Sequence, residues 1–261
     1  MRRWLPVVLV LTILLVSSLP VRAEAAVNIV NTKQGSVQVT LGTVPVAKIK
    51  ILVEKDNMRY FYNLNRHQES FPLQMGNGSY QVHVLEQIEG NKYKFVHSEE
   101  FAVRLPEKEM VFLNSVQNVP WEQAPQAVAK AQELTNKADL DEDKLKLIYD
   151  FIINNITYDY EKAKKLPSDY LPDPDQAFRS RKGICYDYAS LFASMLRSVG
   201  VPSKLVMGNA DDVTDYHAWN EVFIGGKWLI IDTTVDARLR EADKPYAMIK
   251  DIKAYKTTRI Y

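Results

Sequence analysis

The sequence predicts an α+β protein: an all-β module followed by a helix packed on an antiparallel sheet. Three observations predict it. Residues 26–113 break into short alternating apolar and polar runs separated by turn residues. Residues 185–199 carry one apolar stripe at helical spacing. Two apolar runs around Gly225-Gly226 have the form of a tight hairpin.

The first element is a targeting segment. Arg2 and Arg3 precede an apolar run from Trp4 to Val16, which Ser17, Ser18 and Pro20 break. Ala23-Glu24-Ala25 supplies small residues at cleavage-site spacing, so residues 1–25 read as a signal peptide. The run is shorter than the ~20 residues of a spanning helix. No later segment is apolar enough to cross a membrane, so the mature chain is expected to have no integral span. Its expected location is secreted or cell-surface and cell-wall associated. The formal charge is only +1, and cleavage would remove Arg2, Arg3, Arg22 and Glu24, leaving the two signs nearly balanced. A nucleic-acid binder needs a one-signed field, which excludes that partner class.

Residues 26–113 then form the β module. Val37, Val39 and Leu41 alternate with polar neighbours. Further strands are read at Lys48 to Glu54, Tyr60 to Leu64, Tyr80 to Val84 after the Gly76-Asn77-Gly78 turn, Tyr93 to Val96, and Phe101 to Leu105. Six or so short strands with regular turns predict a small all-β, immunoglobulin-like sandwich. It carries no catalytic constellation, and its expected role is binding, spacing or docking. Residues 114–261 are the second domain, which begins with a helical lead-in. Glu122 to Asn136 has helical composition. Asp139 to Glu142 has capping-box spacing before Leu145, Ile148, Tyr149 and Ile152 recur at helical intervals. Residues 160–182, with three prolines and many charges, read as a long loop beside a site.

Cys185 is the single cysteine, so an exported chain cannot form an internal disulfide. The thiol is an inert packed group, an intermolecular link or a nucleophile. Tyr188, Phe192, Met195 and Val199 place it in the first turn of a helix that Gly200 and Pro202 terminate. Unpaired N–H groups and the positive dipole end there stabilise a thiolate, and the Cys185 N–H is a candidate oxyanion donor. The Gly225-Gly226 turn pairs Ile224 with Lys227 and carries the register to Trp219 opposite Asp232, with the second strand running through Asp232-Thr233-Thr234. His217 and Asp232 then share a face as diagonal neighbours, roughly 7–8 Å apart at the backbone. A carboxylate at that position fixes the ring tautomer, and the other ring nitrogen serves the thiol.

The runs Gly183-Ile184-Cys185-Tyr186-Asp187-Tyr188-Ala189, Leu196-Arg197-Ser198-Val199-Gly200-Val201-Pro202 and His217-Ala218-Trp219-Asn220-Glu221-Val222, with Gly226-Lys227-Trp228 and Asp232-Thr233-Thr234, resemble the transglutaminase-like core of the papain-like superfamily. The resemblance covers roughly residues 140–236. It implies a catalytic Cys185, His217 and Asp232 on a helix packed against an antiparallel sheet. It also implies acyl transfer from an amide through a thioester. The acceptor is left open: an amine gives an isopeptide bond, and water gives proteolysis or deamidation. A non-catalytic surface-binding scaffold is the remaining alternative. No cofactor is implied. The expected partner is an extracellular protein or cell-wall peptide.

Trp219, Tyr158, Tyr186 and Tyr216 are candidates to line the substrate cleft, with packing the stronger reading for Trp219. Asp187 is read as complementing the helix dipole. Asp211, Asp212 and Asp215 lack the pattern of a calcium loop and read as a solvated turn. His67, His83 and His97 are scattered, and with one cysteine a Cys-based zinc site is excluded, so no metal is expected.

Overall fold

The computed structural model describes residues 27–42 and 47–261; the expected signal peptide lies outside the described residues. The N-terminal module has strands β1 (Val27–Asn31), β2 (Ser36–Leu41), β3 (Ile49–Lys55), β4 (Met58–Leu64), β5 (Gln68–Pro72), β6 (Gly78–Glu89) and β7 (Lys92–Val103). They form two antiparallel sheets, ordered β1-β2-β5 and β4-β3-β6-β7. Alternation decides which side chains meet between them. Val37, Val39 and Leu41 from one sheet share a core with Ile51, Val53, Tyr80, Val82 and Val84 from the other.

Two details differ from the sequence reading. The expected strands at 93–96 and 101–105 are one strand, β7, whose pairing with β6 shifts by a bulge at Val84/Leu85. The polar run His97-Ser98-Glu99-Glu100 reads as a break, yet it pairs along β6, because β7 is an edge strand with few buried positions. β1 and β5 were not foreseen; β5 is polar except for Phe71 and Pro72. Its buried Glu69 is satisfied by accepting from the N–H groups of Asn65 and Arg66.

The second unit contains α1 (Pro125–Thr135), α2 (Asp141–Asn155), β8 (Thr157–Tyr158), α3 (Tyr160–Ala163), α4 (Pro174–Ser180), β9 (Lys182–Gly183), α5 (Cys185–Ser198), β10 (Ser203–Ala210), β11 (Val213–Ile224), β12 (Lys227–Ile231), α6 (Thr233–Glu241) and β13 (Tyr255–Ile260). One antiparallel sheet, ordered β12-β11-β10-β13, lies under α5, and α1, α2, α4 and α6 pack around that helix. The expected capping box at 139–142 does not form. Leu140 occupies the N-cap without a side-chain bond, and Asp141, Glu142 and Asp143 complement the dipole instead. The long 160–182 segment holds α4, started by a Pro and by Asp173 accepting from the Gln176 N–H.

Arg197 on α5 ties the fold together. Its buried guanidinium donates to the backbone oxygens of Ser203 at 2.8 Å, Asn114 at 2.8 Å and Tyr261 at 2.9 Å. Helix, inter-module segment and the ends of β10 and β13 are thereby fixed to one planar group, whose burial lowers its pKa to about 9. The modules also meet where Phe112 packs edge-on against Trp228, with ring centroids 5.4 Å apart.

A second buried polar group anchors α6. Asp236 accepts from Tyr149 Oη at 2.8 Å and pairs with Lys250, whose segment bridges back to β12 through Ile249 and Ile231. Burial raises the Asp236 pKa, which Lys250 opposes. Removing one partner of such a pair strands the other charge. Lys250→Met is therefore expected to cost about 3 kcal/mol in denaturant unfolding at pH 7. The deficit should shrink on acidification as Asp236 takes up a proton. An unchanged midpoint at pH 7 would show that the pair does not hold α6.

Candidate active site

Cys185 is the first residue of α5, with extended Ile184 at the N-cap. Asp187, three residues on from Ile184, accepts its N–H at 2.9 Å. The same carboxylate accepts from Lys162 at 2.7 Å and from Tyr170 Oη, so α3 and the segment after it are pinned onto the helix start. Asp187 thus supports the first turn as read, with partners that no local pattern reveals. Gly183 makes room for it, because a Cβ there would lie 2.6 Å from the Asp187 Cβ. The thiol is half-buried among Ala189, Tyr186 and Met207, and the N–H groups of Cys185, Tyr186 and Asp187 have no intrahelical acceptor.

The hairpin has the expected register, with Ile224 opposite Lys227 and Asn220 opposite Ile231. It ends sooner than expected. β12 stops at Ile231, and Asp232-Thr233-Thr234 turns into α6 instead of continuing as strand. The reason is Asp232, whose Oδ1 accepts the Val235 N–H at 3.0 Å and caps α6. Its Oδ2 lies 2.8 Å from His217 Nε2 and accepts from Tyr255 Oη at 2.9 Å. An acceptor-only carboxylate requires that Nε2 carry the proton. Nδ1 is left free of Asp232, and the Cys185 side chain is near enough to help raise the His217 pKa. His217 and Asp232 therefore meet, with Cys185 close by.

The electrostatics favour a charged ring. Burial pushes the His217 pKa down, but the hydrogen bonds to Asp232 and Cys185, with their charges, outweigh it and hold the ring at about 10. Tyr255 is held protonated by burial and by the adjacent Asp232 charge.

Asn220, two positions beyond Ala218, sets the spacing between sheet and helix. Its buried Nδ2 donates to Ala189 O on α5 at 2.9 Å and to Lys204 O on β10 at 3.0 Å. Gly208 faces His217 across β10 and β11. A Cβ on Gly208 would lie 2.0 Å from the Lys256 backbone oxygen and 2.9 Å from the Trp219 ring.

The four cleft candidates separate. Trp219 is 1% exposed; it stacks behind the imidazole at 6.3 Å and meets Tyr255 at 5.0 Å, so it is a backing wall that no substrate touches. Tyr186 accepts from Asn118 Nδ2 at 2.6 Å and packs into the inter-module segment beside Cys185. Tyr216, 53% exposed, alternates to the strand face opposite His217. Tyr158 is the candidate next to the thiol. It pairs with Gly183 through β8 and β9, and its pKa is raised first by burial and then by the Cys185 charge. Beside it stand Tyr160, at 4.9 Å between ring centroids, and Arg238, neither of which the sequence singled out. Asp211, Asp212 and Asp215 are exposed around the β10–β11 turn. Tyr255, Asn118 and Gly208 were also missed. Their roles arise from contacts on strands and segments far along the chain, which no local pattern reveals.

The architecture is that of a protein with a cysteine at a helix start and a His–Asp pair on the sheet beneath it. Residues 128–233 match the profile of the transglutaminase-like superfamily. A UPF0252 protein of Methanocaldococcus jannaschii is 29% identical over 120 residues, which cover 41% of this chain and 34% of that protein. The kyphoscoliosis peptidase of Mus musculus is 30% identical over 112 residues, covering 39% and 17%. The chain thus spans about a third and about a sixth of these relatives' lengths. Among solved structures, a candidate cysteine protease from Cytophaga hutchinsonii aligns over 77% of this chain and 74% of its own, at 16% identity and a TM-score of 0.43.

Two outcomes follow from the geometry. Gly208→Ala should destabilise the protein by about 2 kcal/mol, because backbone rather than a flexible side chain must move; a melting curve within 1 °C of wild type would contradict the close approach. For His217, the folded pKa lies above the ordinary 6.5. The stability it contributes is present below pH 6.5 and is lost as pH rises towards about 10. Wild type should lose stability across that window, and His217→Gln should show a flatter profile. Parallel profiles would mean that the ring is not held charged.

Proposed function

We propose that this protein is an exported cysteine-dependent acyl-transfer enzyme acting on amide bonds of extracellular protein or cell-wall peptide. The observation that carries the reading is the His217 imidazole, held by Asp232 at 2.8 Å and with its pKa raised in part by Cys185 at the start of α5. A charged imidazole at neutral pH is the counter-ion that a thiolate needs.

In this reading the Cys185 thiolate attacks the carbonyl carbon of a Gln side chain or a peptide bond. A C–S bond forms and the carbonyl electrons move to oxygen, where the Cys185 N–H is the candidate donor. The His217 imidazolium gives its Nδ1 proton to the leaving nitrogen. The C–N bond breaks, ammonia or an amine departs, and a thioester remains. An acceptor amine or water then loses a proton to the now neutral His217 and attacks the thioester. The C–S bond breaks and thiolate and imidazolium are restored. Asp232 keeps the ring oriented and compensates its charge in both halves. Transfer to an amine forms an isopeptide bond; transfer to water makes the protein a peptidase or deamidase. The peptidase name of the mouse relative lends support to the hydrolytic branch.

Wild type, Cys185→Ala and Asp232→Asn should be incubated with a Gln-containing protein mixture and a labelled primary amine. Label incorporation, or peptide release without label, is expected for wild type. Cys185→Ala should abolish either, and Asp232→Asn should lower the rate by about 10³-fold. Turnover that survives Cys185→Ala would overturn the reading, and no turnover with any donor would favour a scaffold. Expression with residues 1–25 intact should place the protein outside the cytoplasm.

A further inference from the structure

One wall beside Cys185 carries a positive group that has no ion-pair partner among the described residues. β8 runs beside β9, with Tyr158 opposite Gly183 and the Asp159 N–H donating to Gly183 O at 2.9 Å. Tyr158 is therefore fixed two residues from the cysteine in the neighbouring strand. Tyr160 follows at the start of α3 and is 54% exposed. From α6, the Arg238 guanidinium carbon lies 5.5 Å from the Tyr158 ring centroid and 5.8 Å from that of Tyr160. Arg238 sits less than two turns beyond Asp232, so the element that orients His217 also delivers this guanidinium.

Arg238 is exposed, and among the described residues its guanidinium makes no hydrogen bond or ion pair. A guanidinium held against aromatic faces keeps its N–H edges free in the plane, and those edges match a carboxylate in a two-point fork. Its rotamer freedom is already restricted, so little entropy remains to be lost on binding. Neighbouring Arg240 differs: its Nε donates to Ile153 O at 2.8 Å and is structural. The acidic group on the same wall is exposed Asp215, whose charge Tyr158 also feels; it forms no ion pair with Arg238.

We propose that Arg238, lying over the Tyr158 and Tyr160 rings beside Cys185, is a specificity-determining residue that recognises a carboxylate on the acyl donor. The carboxylate can belong to an acidic side chain near the reacting amide or to a peptide terminus. This rests on the reading of Cys185 as the attacking group, and one arm of the test is independent of turnover.

That arm alkylates Cys185 with iodoacetate, which carries a carboxylate, and with neutral iodoacetamide. Arg238→Gln should lower the ratio of the two rates by about threefold, while Asp215→Asn should raise it. Lys244→Gln removes the same charge from an exposed position just after α6 and should leave the ratio near wild type. An unchanged ratio in Arg238→Gln, or an equal fall in Lys244→Gln, overturns the proposal whether or not the protein is an enzyme. The second arm compares Gln-containing peptides that carry a neighbouring Glu, a free C-terminal carboxylate, or neither. Wild type should favour one acidic class in kcat/KM, and Arg238→Gln should remove about tenfold of that preference. A preference that survives the substitution also overturns the assignment. If no peptide turns over while the alkylation ratio falls as expected, the enzymatic reading fails and the anion-recognising wall stands.

Discussion

The carboxylate of Asp232 is the constraint around which the second domain is arranged. It is fully buried, and a buried charge is tolerated only when its lone pairs are met by donors. One oxygen takes the Val235 N–H and so starts α6; the other takes His217 Nε2 and Tyr255 Oη. Strand ending, helix start and ring orientation are therefore a single event. The N-terminal end of α6 adds its dipole to the stabilisation of the negative charge. The direction of α6 in turn sets where Asp236 meets Tyr149 and Lys250 and where Arg238 reaches Tyr158.

A second set of contacts fixes the helix that carries Cys185. Asn220 joins β11 to α5 and β10 through two backbone acceptors. Gly208 lets Lys256 and Trp219 close over the strand opposite His217. Asp187 holds the first turn of α5 through Ile184 while gripping Lys162 and Tyr170. Arg197, at the other end of the helix, locks it to the inter-module segment and the sheet. The helix is thus held at both ends and along one side, with partial exposure left at Cys185.

What was legible in the sequence is what local chemistry determines. The spacing of Tyr188, Phe192 and Met195 gave α5 and put Cys185 at its start, because those side chains fill one buried face. The two glycines at 225 and 226 take positive φ, which fixes the turn and hence the pairing of Asn220 with Ile231. The strand's end was not legible. Ile-Ile-Asp-Thr-Thr has β-rich neighbours, and only the tertiary demand for a capped helix tells Asp232 from a strand residue. Tyr255 lies on β13, across the sheet from β11, so its bond to Asp232 is invisible to any window. Tyr160 and Arg238 are separated by nearly eighty positions and meet only because β8 and α6 pack together. For Trp219 the packing reading holds: it shares a face with His217, and that face near Trp219 is covered by β13.

The charges then form a graded series from interior to surface. Asp232 is negative and sealed, and the His217 ring beside it is positive because its two partners outweigh the penalty of burial. In the acyl-transfer reading the sulfur is next, negative and half-buried, and Arg238 on the outer wall is positive and exposed. His217 and Asp232 have little water to screen them, so their coupling exceeds that of a surface pair. The strongest coupling thus belongs to the sealed His217–Asp232 pair, and the exposed Arg238 guanidinium lies where water screens it most.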